Sequence, residues 1–238
     1  RIEQRPSFNY QFNSCLRLIG RRNHPISPMP RPVLYVLAGV NGAGKSSIGG
    51  HLLTRAGLAW FNPDAFAREL AAATGCDQTS ANAAAWTEGM RRLDAAVAGG
   101  QSFAFETTLG GRSVPARIRH ASRTHDVLVW FCGLDSPELH LARVRQRVTA
   151  GGHDIPQAKV RERWHSAIAN LIALLPHLAE VRVFDNSTSV APGQPVPDPT
   201  PVAVIQQGRL AWPAADDAAQ LARTPDWAKP VLETALTP

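Results

Sequence analysis

Chemistry is most legible in the run Gly39-Val40-Asn41-Gly42-Ala43-Gly44-Lys45-Ser46. Its spacing, G-x-x-x-x-G-K-S, is that of a phosphate-cradling P-loop. Glycines let the backbone turn tightly and aim its N–H groups inward, and a helix N-terminus adds partial positive charge beneath an anion. Lys45 can reach the β- and γ-phosphates, and the Ser46 hydroxyl can ligate Mg²⁺. The apolar run Val33–Ala38 leads into the loop, and Ser47–Leu53 can begin a helix after it. The expected ligand is a nucleoside triphosphate.

A P-loop alone does not separate a GTPase, an ATPase motor and a small-molecule kinase. Three further groupings narrow the choice. Asn62-Pro63-Asp64 closes the short apolar run Leu58–Phe61, at the carboxyl end of an expected second strand, where open α/β sheets place ligands. A carboxylate there can accept the proton of an acceptor hydroxyl. The same Asp also suits a helix N-cap. Phe103-Ala104-Phe105-Glu106-Thr107-Thr108 is an apolar strand closed by an acid. Glu106 can orient Mg²⁺ or its waters, or, with Thr107 and Thr108, hydrogen-bond acceptor hydroxyls. Arg143 and Arg147 share a helix face and precede Gly151-Gly152-His153-Asp154-Ile155-Pro156 and Arg161-Glu162-Arg163. Two glycines and a proline between arginine-bearing helices can form a lid that brings guanidinium groups to a γ-phosphate. The alternative is a pair of solvated basic helices.

The elements that must hold these groups follow from period and punctuation. Ala65–Ala73 reads as a helix stopped at Thr74-Gly75. Trp86, Met90, Leu93 and Val97 place Ala81–Ala98 on an amphipathic helix. Gln101–Glu106, Val127–Cys132 and Val181–Phe184 read as strands, the second buried on both faces. Arg112–Ser122 and the segments beginning near Pro137 and Pro156 read as helices. Alternation of this kind predicts an α/β fold: a parallel sheet of about five strands with helices on both faces. Residues 1–32 read as a basic, proline-bearing arm, 33–186 as the core, and 187–238 as a Pro-rich linker, a small hairpin about Gly208 and a terminal helix.

Composition sets the outer limits. The chain has 238 residues, is 44% hydrophobic and carries a formal charge of +6. That suffices for one α/β core with extensions. Its lysines stand only at Lys45, Lys159 and Lys229. The positive charge is therefore mostly scattered arginine, not interleaved with aromatics, and no nucleic-acid partner is expected. Cys15, Cys76 and Cys132 lack metal-ligand spacing and read as reduced thiols of a cytoplasmic protein. No apolar run reaches membrane-spanning length. The chain begins with Arg1 rather than Met, consistent with processing or truncation.

Taken in order, Gly39–Ser46, Asn62-Pro63-Asp64, Phe105-Glu106-Thr107-Thr108-Leu109, Ser136-Pro137-Glu138-Leu139, Arg143-Val144, Arg147-Val148, Gly151–Pro156, Arg163-Trp164 and Asp185-Asn186-Ser187 resemble the zeta-toxin family of P-loop kinases. The resemblance covers about Val33 to Ser187. It implies ATP- and Mg²⁺-dependent phosphorylation of a UDP-N-acetyl-amino-sugar, typically UDP-N-acetylglucosamine, which starves cell-wall synthesis of precursor, and a possible antitoxin partner. By position it assigns ATP to Gly39, Asn41, Gly42, Ala43, Gly44, Lys45, Ser46, Ser47 and Arg143, and Mg²⁺ to Ser46 and Glu106. Asp64 would be the general base, acting with Lys45, Arg147 and Arg163. Asn62, Asp64, Glu106, Thr107, Thr108 and His153 would meet the acceptor. The lid resembles the compact chromosomal branch of that family, and the arm is short for a fused antitoxin domain. Alternatives are a kinase of the same fold for another hydroxyl (a nucleoside, a different sugar nucleotide, an antibiotic), or an ABC-like ATPase or nucleic-acid-associated switch, faintly echoed by Leu109-Gly110-Gly111-Arg112-Ser113. No Asn-Lys-x-Asp guanine motif is present.

Overall fold

A computed structural model describes residues 31–46, 49, 60–149, 152, 154–190 and 197–237. Strand β1 (Val33–Ala38) is the axis of the sheet, pairing in parallel with β2 (Phe103–Thr107) on one side and β3 (Asp126–Gly133) on the other. The sheet continues through β4 (Glu180–Asp185, parallel), β5 (Thr200–Gln206, antiparallel) and β6 (Arg209–Trp212) in the order β2-β1-β3-β4-β5-β6. The fold is thus α/β with a mixed, mostly parallel sheet. Among the described residues it has six strands rather than about five, because the C-terminal hairpin joins the sheet edge. Gln207 and Gly208 both take positive φ (51° and 78°), the pairing that a two-residue hairpin loop requires. Of the expected second strand, Leu58 and Ala59 lie outside the described residues, and Phe61 forms a parallel bridge to Phe105 beside β2.

One face of the sheet carries Leu34, Val36, Phe105, Val129, Phe131, Val181 and Val183, all in the main core. Over them lie α2 (Gln78–Ala98), α3 (Ser113–Ala121), α4 (Pro137–Thr149), α5 (Gln157–Leu174) and α7 (Lys229–Leu236). α1 (Pro63–Thr74) packs on α2 through Ala67, Ala81 and Ala85, and a single turn, α6 (Ala218–Leu221), precedes α7. On the opposite face Tyr35 and Ala104 gather Val33, Trp60, Leu128 and Trp130, and Gly49 is seated on Leu37. β3 therefore alternates buried and half-buried residues instead of burying both faces. Apart from Gly49, the helix expected over Ser47–Leu53 lies outside the described residues.

Two departures have local causes. α2 starts at Gln78, not Ala81, because the Asp77 carboxylate accepts from the N–H groups of Thr79 and Ser80. Its buried stripe is Ala81, Ala85, Gly89, Met90, Leu93 and Ala96: Met90 and Leu93 lie on it as expected and Val97 packs against the core, but Trp86 does not. Small residues let this helix approach closely, since a Cβ on Gly89 would meet the Phe61 ring at 2.7 Å. That close seam turns Trp86 outward.

Candidate active site

The register of the sheet assembles the site. Leu37 stands opposite Glu106 and Ala38 opposite Thr107, so the P-loop leaves β1 level with the acidic end of β2. Three glycines of the loop have positive φ: Gly39 (140°), Gly42 (84°) and Gly44 (82°). Two are also sterically required. A Cβ on Gly39 would collide with the Cys132 carbonyl, and one on Gly42 would lie 2.9 Å from that of His140. Cys132 beneath the loop is inert, its thiol pushed up to about 12 by burial.

Lys45 is buried. Its Nζ lies 3.4 Å from Glu106 Oε1 and donates to the Val40 carbonyl at 3.3 Å. The Ser46 hydroxyl donates to Glu106 Oε2 at 2.8 Å, and Asn62 Nδ2 donates to the same oxygen at 3.3 Å. Asn62 Oδ1 accepts the Ala65 N–H and caps α1. Asp64 is therefore not the cap. It lies in the first turn, lining the cleft, where Arg147 Nη1 approaches its Oδ2 at 3.4 Å. Arg163 Nη1 donates to Asn41 Oδ1 at 2.8 Å. Burial pulls the Arg163 pKa down from its usual value while Glu162 and Asp64 pull it back up, so an arriving anion would meet an under-solvated cation.

These groups face a cavity of about 370 Å³. Asn41, Lys45, Asp64, Glu106, Thr107, Thr108 and Arg163 all line it. The Thr107 and Thr108 hydroxyls accept from Leu109 N–H and Gly110 N–H, and α5 clamps that loop through Ser166 on Gly110 and Asn170 on Leu109 and Gly111. The run echoing an ABC signature is thus a loop pinned to α5. Arg143 packs beside Gly42, but its guanidinium donates to the Thr188 carbonyl at 3.1 Å. Ser47 and His153 lie outside the described residues.

Two supports were not foreseen. His140 Nδ1 donates to the Asn41 carbonyl at 2.8 Å, which fixes the N–H on that nitrogen. Burial first of all, with Lys45 and Arg143 adding repulsion against the pull of the Asn41 carbonyl, pushes its pKa down to about 4. Asn186 Nδ2 donates to the Ala43 carbonyl at 2.9 Å. A lone His on an apolar helix face gave no signal, and Asn186 stood in the run Asp185–Ser187 that carries the resemblance without anything there pointing to the loop.

Among the described residues no group of three His, Cys, Asp or Glu is assembled into a cage for a cation. Mg²⁺ does not need one, since it keeps waters and phosphate oxygens about itself. The Ser46 hydroxyl and the Glu106 carboxylate, side by side and hydrogen-bonded at 2.8 Å, are hard oxygen donors of the kind that Mg²⁺ takes. The pair fits the ion.

The sequence pattern of the AAA domain family matches residues 34–171. The chain belongs to the AAA domain family. No curated protein matches it. Among solved structures, this AAA domain protein is similar to a chain of the AvrRxo1-ORF1:-ORF2 complex with ATP. Identity is 16%, coverage 90% of this chain and 68% of that one, and the TM-score 0.61. The AvrRxo1-ORF1:AvrRxo1-ORF2 complex with sulphate ions gives 16% identity, the same coverages and a TM-score of 0.57. A structure from the PezAT chromosomal toxin-antitoxin system of Streptococcus pneumoniae gives 17% identity over 75% of this chain and 76% of that one, with a TM-score of 0.49. At such identities the likeness to AvrRxo1 is one of fold, and the AAA domain here has the P-loop kinase-like architecture. Among the described residues no helix is long and apolar enough to cross a membrane.

Proposed function

We propose that this protein is a kinase that moves the γ-phosphate of ATP to a hydroxyl of a small molecule. The reading rests on one observation: Asp64, Lys45 and Arg163 line a single cleft, with Asp64 clear of the helix cap. In the proposed reaction the acceptor oxygen forms a bond to the γ-phosphorus as the bond to the bridging oxygen of ADP breaks. The hydroxyl proton passes to Asp64, whose carboxylate Arg147 orients. Lys45, on releasing Glu106, and Arg163, on releasing Asn41, take up charge on the transferring group. Ser46 and Glu106 would hold Mg²⁺, which supplies charge neutralisation between the phosphates when bound.

For the acceptor we keep the substrate that the zeta-toxin resemblance implies, a UDP-N-acetyl-amino-sugar such as UDP-N-acetylglucosamine, met by Glu106, Thr107 and Thr108. A protein partner of antitoxin type belongs to the same reading. Two things support it: the sequence resemblance, and a chain of similar fold that was solved as an ORF1:-ORF2 complex with ATP. The test is ADP release and product mass with ATP, Mg²⁺ and a panel of sugar nucleotides, nucleosides and simple sugars. UDP-N-acetylglucosamine is expected to gain one phosphate, and Asp64→Ala to lower turnover by about 10²–10⁴-fold. A loss below tenfold rejects Asp64 as base, and transfer to a different panel member replaces the acceptor.

A further inference from the structure

The wall of the cleft facing the P-loop carries an indole that folding does not use. Trp86 lines the cavity, yet 51% of it is exposed, while its helix neighbours Ala85 and Met90 are buried. Among the described residues it takes part in no hydrogen bond or ring contact. A large apolar ring left in water forgoes the stabilisation that burial gives it, and a cleft wall is where that loss has a use. Its surroundings suit a flat guest. Ala85 and Gly89 keep the surface of α2 low beside the ring. Asn82, one turn earlier, adds an amide whose oxygen is already occupied by Gln78 Nε2 at 2.9 Å. Lys159, on α5, also lines the cavity, with its ammonium paired to Glu162 Oε2 at 2.9 Å and able to exchange that exposed partner for an anion.

We propose that Trp86 is a stacking platform for a planar heteroaromatic ring of the acceptor, with Asn82 at the edge of that ring and Lys159 beside an anionic linker. A guest with a base-like ring would cover the exposed indole face, which an open-chain polyol or a bare sugar phosphate would leave wet. Trp86 is then the residue that selects base-bearing acceptors over bare sugars and polyols in the proposed reaction. This deepens the kinase reading and rests on it only for the word acceptor.

The test is a binding measurement that needs no turnover. With the P-loop filled by a non-hydrolysable ATP analogue and Mg²⁺, the protein is titrated with UMP and with ribose 5-phosphate, which lacks only the base. UMP is expected to bind about tenfold more tightly, within the range that a base–aromatic stack contributes. W86A should bring the two within about twofold of each other, and W86F should keep most of the preference. Equal affinities in the natural protein, no measurable UMP binding, or an unchanged ratio in W86A each overturn the proposal. A Trp86-dependent preference without transfer to any acceptor leaves the platform standing and sinks the kinase reading. Undiminished acceptor affinity during turnover in W86A does the reverse.

Discussion

On the P-loop side of the cleft Lys45, Ser46 and Asn62 each contact Glu106 at 2.8–3.4 Å, with Lys45 and Glu106 buried, and β1 and β2 fix the register beneath them. On the facing side, Arg147 touches Asp64 with both side chains more than a third exposed, Lys159 pairs with Glu162 in solvent, and Trp86 is half exposed. The first wall is organised before any ligand arrives, which is what charge stabilisation in a transition state needs. The second is loosely tied and can be altered without disturbing the core. In the proposed reaction the first wall would hold the phosphates, and the second would bring Asp64 and Arg163 to them and Trp86 to the acceptor.

The largest break in this contrast comes at Arg163, which starts on the facing side and reaches across to Asn41. Arg163→Ala is expected to lower kcat by about 10³-fold or more, as loss of a phosphate-neutralising arginine does, with KM for ATP changing little. Arg163→Lys should recover only part, since an ammonium cannot reproduce the fork of donors. If single-turnover phosphate transfer falls less than tenfold, Arg163 is a spacer for the loop instead. That role is available to it, because a Cβ on Gly110 would meet its side chain at 2.6 Å.

The buried wall should also report on pH. His140 has its pKa lowered in the folded protein, to about 4 from an ordinary 6.5. Between those values the unfolded chain binds the extra proton and the folded one does not, so stability rises with pH across that window. The contribution is complete above about pH 6.5 and is lost as pH falls to about 4. It amounts to about 3 kcal/mol, the shift converted at 1.36 kcal/mol per unit. Urea midpoints at pH 6.5 and 4.5 should show a steeper fall for the natural protein than for His140→Asn, which keeps a donor for the Asn41 carbonyl but does not titrate. Parallel slopes would remove His140 from the account of acid sensitivity.

How far the sequence reaches divides along the same line. The P-loop is legible because a phosphate cradle needs glycine, lysine and serine at set spacing, and β1, the strand that leads into it, is an uninterrupted apolar run. The pair Asn62 and Asp64 is legible as a site, but not its division of labour: either side chain can cap a helix, and only the fold shows that Asn62 does. His140 and Asn186 reach the P-loop from 99 and 143 residues away, and nothing local to either marks the contact. The same limit hid the pairing of β5 with β4. Trp86 misled because an apolar residue at helical spacing normally belongs to the buried stripe; alanines and a glycine took that stripe instead.

Asn62 joins the two walls, and there the smallest effect separates their roles. Its oxygen caps α1 while its amide nitrogen donates to Glu106. Asn62→Ala should cost about 1 kcal/mol through the lost cap and also weaken Mg²⁺-dependent turnover, because Glu106 loses a donor that orients it. Asn62→Asp separates the two. An aspartate caps as well as an asparagine and suits a helix N-terminus, so thermal stability should return to the natural value. It cannot donate to Glu106, and it sets a second carboxylate beside the first. Turnover should therefore stay low in Asn62→Asp, with the half-saturating Mg²⁺ concentration shifted, while the melting temperature recovers. Recovery of both would make the Asn62–Glu106 contact incidental and leave the phosphate wall resting on Lys45 and Ser46 alone.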